Sequence, residues 1–143
     1  MGTPYEADIV AWAREQAALL RAGDFPAIDA LHIAEEIESV ANTERRELKH
    51  RMSILVANLL KWNFQPSHRG KSWSATVRVR RREIHDALDK MPSLRHCFDD
   101  ERWLTMIWDN AVNFAEAETD LDHFPSTWSW SLDQVLSDDF WPD

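Results

Sequence analysis

The sequence predicts an all-α, single-domain helical bundle. About four main helices gather around one long helix, near residues 30–64, and a short helix follows close to the C-terminal end. Three observations predict this. Ile33, Ile37, Val40, Ala41, Glu44, Leu48, Met52, Leu55, Leu59 and Trp62 recur at steps of three and four, the period of a one-sided helix. Helix start and stop residues punctuate the chain at intervals that suit helices. No stretch alternates apolar and polar residues as a half-buried strand would, and there is no internal repeat.

The elements follow in order. Thr3-Pro4-Tyr5-Glu6 reads as a capping box that opens a first helix, with Thr3 as N-cap and Pro4 at N1. Tyr5, Ile9, Trp12, Gln16 and Leu19 or Leu20 give that helix its stripe, and Gly23 suits a left-handed stop. Asp29 is the expected N-cap of the long helix, and Pro66 forbids its continuation. Thirty-odd residues at about 1.5 Å each span roughly 50 Å, so a bend is expected in the weakly helical stretch Ser39–Thr43. A third helix, capped by Ser72, carries Trp73, Val77, Arg80 or Arg81, Ile84, Leu88 and Met91 at helical spacing. A short turn is expected over Leu94–Phe98, and a fourth helix runs from about Asp99 to Thr119 behind an acidic first turn. Asp120–Ser129 is a loop, and Ser131-Leu132-Asp133-Gln134 is a second capping box opening the last short helix.

Composition narrows the function classes. With 44% apolar and 29% charged residues, the chain is an ordinary globular one. Cys97 is the single cysteine, so no internal disulfide forms and a reducing, cytoplasmic setting is expected. The start of the chain has no signal-peptide pattern, and Glu6 stands where a myristoylation signal needs Ser or Thr. No apolar run is long enough to span a bilayer, so no membrane association is expected. The net charge of −9 is unevenly spread. Residues 1–47 hold four basic and ten acidic groups, residues 48–82 nine basic and none acidic, and residues 83–143 three basic and fifteen acidic.

The segments YEADIVAWAREQAALLRAGDF, IAEEIESV, ERREL, LLKWNFQPSHRGKSW and DDFWPD, in this order, resemble a bacterial family, the domain of unknown function numbered twenty-nine. The similarity covers nearly the whole chain, and LLKW-x-x-QP followed by SW is its most specific part. The resemblance implies a small bacterial all-α protein and carries no established activity. It places Asn58 where many members have His, which argues against a catalytic or metal role at that position.

Several residues invite chemistry. Glu44, Arg51 and Asn58 lie seven apart, on nearly one line beside the apolar stripe, and form a candidate polar core or pocket with arginines of the third helix. Glu47-x-x-His50 has the spacing of di-iron bundles, but no second pair accompanies it, and His32-x-x-x-Glu36 lacks a third ligand. No metal site, cofactor or catalytic residue is therefore assigned. Cys97 beside His96 reads as core packing rather than a nucleophile, since neighbours on a helix point about 100° apart. The stretch from Lys61 to Arg82 interleaves Lys61, Arg69, Lys71, Arg78, Arg80, Arg81 and Arg82 with Trp62, Phe64 and Trp73. Such a surface suits an acidic partner, or phosphates and bases. The competing reading turns these cations toward the chain's own acidic C-terminal third, and the aromatic tail Trp128–Trp141 is expected to fold back onto the bundle with Arg69 or Arg82 stacked on a tail Trp.

The expected function is that of a non-enzymatic protein-binding or regulatory module using residues 61–82, with another protein as partner. Two alternatives stay open: nucleic-acid or polyanion binding by the same residues, and an enzyme or small-ligand binder with a pocket around Glu44, Arg51 and Asn58.

Overall fold

The computed structural model describes residues 2–143 and contains five α-helices: α1 (Ile9–Ala22), α2 (Ala30–Phe64), α3 (Lys71–Lys90), α4 (Glu101–Thr119) and α5 (Leu132–Leu136). Short 3-10 turns at Phe25–Ala27, Pro66–His68 and Pro92–Asp99 join them, each beginning at or next to a proline, and no strand occurs among the described residues. The described chain is thus all-α, with one long helix and a short C-terminal one, as its periodicity predicts.

Most helix ends lie where local chemistry places them. Gly23 adopts φ 73°, the left-handed geometry that only glycine takes without strain, and its N–H closes α1 on Leu20. Asp29 caps α2, its Oδ1 accepting from the His32 N–H at 3.3 Å. Ser131 and Gln134 complete a reciprocal capping box at the start of α5. Two caps differ from expectation. The capping box at Thr3 does not form: residues 5–7 are a turn, and Asp8 caps α1 by accepting from Val10 and Ala11. The Thr3 N–H and hydroxyl instead donate to the Glu15 carboxylate of α1, at 2.6 and 2.9 Å. α3 starts at Lys71, with Gly70 rather than Ser72 as its cap residue.

The chain packs as two compact units, residues up to Glu44 and Arg45–Asp143, and the boundary falls inside α2. In the larger unit, α2 contributes Leu48, Met52, Leu55, Val56, Leu59 and Leu60, all essentially without solvent exposure. Against them lie Val77, Ile84 and Leu88 of α3 and Trp103, Ile107, Trp108, Ala111 and Ala115 of α4. The loop after α4 is pinned by indoles, since the Trp108 Nε1–H donates to Pro125 O and the Trp128 Nε1–H to Leu104 O, each at 2.8 Å. A buried indole needs such an acceptor, and here the loop backbone provides it.

The apolar stripe of α2 is buried only in this half. Ile37 is 66% and Val40 65% exposed, contrary to the core positions their period assigns them. In the smaller unit Trp12 of α1 reaches Asp29, and Tyr5, in the turn before α1, reaches His32 and Glu36, one quarter-turn from a row in which Ile33 is half-buried while Ile37 and Val40 stay exposed. Periodicity marks an apolar face without saying which turns of it are covered. Leu55→Ala should therefore lower unfolding free energy by about 2–5 kcal/mol, whereas Ile37→Ala should change it by less than about 0.5 kcal/mol. Urea melts of the two variants check this, and comparable losses would refute the division of the stripe.

Candidate functional site

Two polar constellations stand out, one in each unit. The first centres on Arg81 of α3, whose side chain is fully buried. Its Nε–H donates to Val135 O at 2.9 Å and an Nη2–H to Phe140 O at 2.7 Å, so one guanidinium ties α3 to both α5 and the segment after it. Its face lies 5.4 Å from the Trp141 ring, which Arg78 also approaches at 5.8 Å. Burial holds the Arg81 guanidinium below its ordinary pKa, with Asp138 opposing that effect, yet arginine stays protonated in water at any ordinary pH. His85, one turn on, meets Leu136 O through Nε2 at 2.8 Å. Arg69 adds a further tie, donating to Trp62 O at 2.7 Å and Pro142 O at 3.4 Å while stacking on Trp62, which itself packs on Trp141. The tail does fold back, but Arg78 and Arg81, not Arg69 or Arg82, stack on its Trp141.

The other cations of this stretch divide by partner. Lys61 pairs with Glu118 and lies over Trp73, and Arg80 pairs with Glu83 at 3.3 Å. Lys71, Arg78 and Arg82 are exposed. Among the described residues, Arg69, Lys71, Arg78, Arg81 and Arg82 have no carboxylate within 4.0 Å. Arg78, Arg82, His85 and Asp138 surround a cavity of about 390 Å³. Sequence reasoning selected these cations but not His85, whose signal, a step of three or four from Arg81 and Arg82, is visible only once α3 is known to face α5.

The Glu44–Arg51–Asn58 line is distributed differently. Glu44 is half-buried and has no cation within 4.0 Å among the described residues. Arg51 takes Glu47 of the preceding turn at 3.6 Å, and neither Arg80 nor Arg81 is directed to Glu44. Asn58 Nδ2, Arg80 Nε and Arg81 Nη1 are buried without a hydrogen-bond partner among the described residues. His50 is exposed beside Phe114, and Cys97 is buried in the core. No group of three or more His, Cys, Asp or Glu side chains is arranged to hold a metal ion among the described residues.

The second constellation lies in the unit ending at Glu44. Asp29 accepts from Trp12 Nε1 at 3.0 Å and meets His32 Nδ1 at 2.7 Å, while its N–H donates to Gln16 at 2.7 Å. Tyr5 stacks on His32 with centroids 4.1 Å apart and donates its hydroxyl to Glu36. That hydrogen bond stabilises the protonated phenol and pushes its pKa up to about 12. The Asp29 contact raises His32 above its usual 6.5, and the same contact lowers Asp29 below its usual 3.8. Sequence reasoning saw Asp29 only as a cap, and saw His32 and Glu36 only as an incomplete metal pair; Tyr5 and Trp12 complete the cluster.

The architecture defines a small all-α protein in which a buried arginine retains the C-terminal segment, and no described helix is long and apolar enough to cross a membrane. A family model described as "Domain of unknown function DUF29" matches residues 4–141, and the chain belongs to that family. Comparisons with curated proteins and with solved structures give no match.

Arg81→Met should free the tail, because Met fills similar space but leaves two carbonyls unpaired at about 1–3 kcal/mol each. Urea melts should shift accordingly, and an unchanged midpoint would refute the tie. The His32–Asp29 pair has its own pH signature. Its raised His32 pKa contributes stability fully present below about 6.5 and lost as pH rises through the raised value. Its lowered Asp29 pKa contributes stability present above about 3.8 and lost as pH falls through the lowered value. Opening free energies from hydrogen exchange of residues 9–40 should peak between those limits, and His32→Gln should flatten the alkaline side.

Proposed function

We propose that this protein is a binding or regulatory module that captures an acidic surface of another protein with the basic, aromatic stretch of residues 61–82. One observation carries the reading: five of the seven cations in that stretch are held by carbonyls and aromatic rings, or stand in solvent, and not by carboxylates. Neutral acceptors fix a guanidinium in place without cancelling its charge. Lys71, Arg78 and Arg82 are the exposed contact groups; Lys61, Arg69 and Arg80 are half-buried, and Arg81, fully buried, is not itself a contact residue. Complementary charge of this kind governs association rate and partner choice more than raw affinity.

A nucleic acid or other polyanion on the same side chains is the second reading, supported by the proximity of Trp62 and Trp73 to the cations. A small-ligand pocket near Asn58 draws support from its buried, unpartnered amide nitrogen. Anisotropy titrations with labelled poly-glutamate and labelled single-stranded DNA separate the first two. The proposal expects poly-glutamate to bind, with affinity falling as salt rises, and Arg78→Glu/Arg82→Glu to weaken it at least tenfold. DNA binding that exceeds poly-glutamate binding, or a double variant that binds as well as the wild type, would refute the acidic-protein reading.

A further inference from the structure

The unit ending at Glu44 has little core of its own. Trp12 and Gln16 are its only buried residues among those described, yet it holds seven of the nine large apolar side chains that the described chain exposes. Phe25, Leu31, Ile37 and Val40 are each more than 60% exposed. Isolated surface leucines need no explanation, but this unit exposes apolar side chains out of proportion to its size.

An open cleft of about 840 Å³ lies in the same hairpin. Trp12, Glu15, Leu19 and Ala22 line it from one face of α1, being spaced three or four apart, and Asp29 lines it from the start of α2. The wall is apolar, with small side chains that leave room, and two carboxylates are set into it. Glu15 accepts from the Thr3 N–H and hydroxyl, which are neutral donors. Asp29 is fixed by Trp12 and His32. The described lining includes no Lys or Arg. Residues 2–44 as a whole carry nine acidic groups against two basic ones, Arg14 and Arg21.

Charge chooses among occupants. Two copies meeting through this hairpin would bring two strongly acidic surfaces together, which costs several kcal/mol when like charges are juxtaposed. A helix with an apolar stripe flanked by lysine or arginine satisfies both features, laying its stripe against the α1 wall while its cations reach Glu15 and Asp29. We propose that the hairpin of residues 2–44 is a docking site for a basic amphipathic helix of a partner protein, a second recognition surface opposite in sign to that of residues 61–82.

The test uses the full chain and three fluorescent synthetic peptides: an amphipathic Leu/Lys helix, the same pattern with Glu for Lys, and a scrambled Leu/Lys sequence that keeps charge and loses the stripe. The expected result is saturable binding of the first, with the second and third at least tenfold weaker. Glu15→Lys and Leu19→Asp should each reduce binding at least tenfold with unchanged circular dichroism. Arg78→Glu/Arg82→Glu should leave it intact, which separates this site from the one proposed above. Equal binding of the scrambled peptide, insensitivity to both Glu15→Lys and Leu19→Asp, or self-association that Ile37→Asp abolishes while no peptide binds would each overturn the proposal.

Discussion

One fully buried guanidinium organises the larger unit. Arg81 sits on the core face of α3 among Val77, Ile84 and Leu88, where a charge without partners would be prohibitive. Its acceptors are the carbonyls of Val135 and Phe140, so the cost of burial is offset only when α5 and the following residues are in place. The dependence is mutual. The last stretch of chain is too short to form a core, and it is held by hydrogen bonds from Arg81, His85 and Arg69 together with the packing of Trp141. Carbonyl acceptors satisfy two of the guanidinium's N–H groups without a carboxylate within 4.0 Å among the described residues.

Much of this was legible in the sequence. Pro66, Gly23, Asp29 and the Ser131–Gln134 box act within a few residues of themselves, and each lies where its local chemistry places it. The competition at the N-terminal end was not legible. Thr3 had two carboxylate partners to choose from, and the choice depended on the orientation of α1, which no local pattern encodes. The same limit explains Arg81. Its position on α3 is compatible with the apolar stripe and its charge with the surface, and only the fold decides that it goes inward.

The long helix serves two differently built units. From Leu48 onward its apolar face is sealed, while its first turns keep a polar and aromatic cluster on one side and bare Ile37 and Val40 on another. The smaller unit therefore relies on hydrogen bonds among Tyr5, Trp12, Asp29, His32 and Glu36 where the larger relies on close-packed hydrocarbon. The first kind of contact responds to pH and the second does not.

The reach of Arg81 also bears on the order of events during synthesis. Its acceptors are encoded 54 and 59 residues downstream. At about 5–20 residues per second, α3 leaves the ribosome several seconds before those carbonyls exist outside it. Throughout that interval the helix carries a cation on the face it must bury, so the larger unit has reason to wait. Residues 2–44 draw every partner of their polar cluster from themselves, so that cluster waits for nothing downstream.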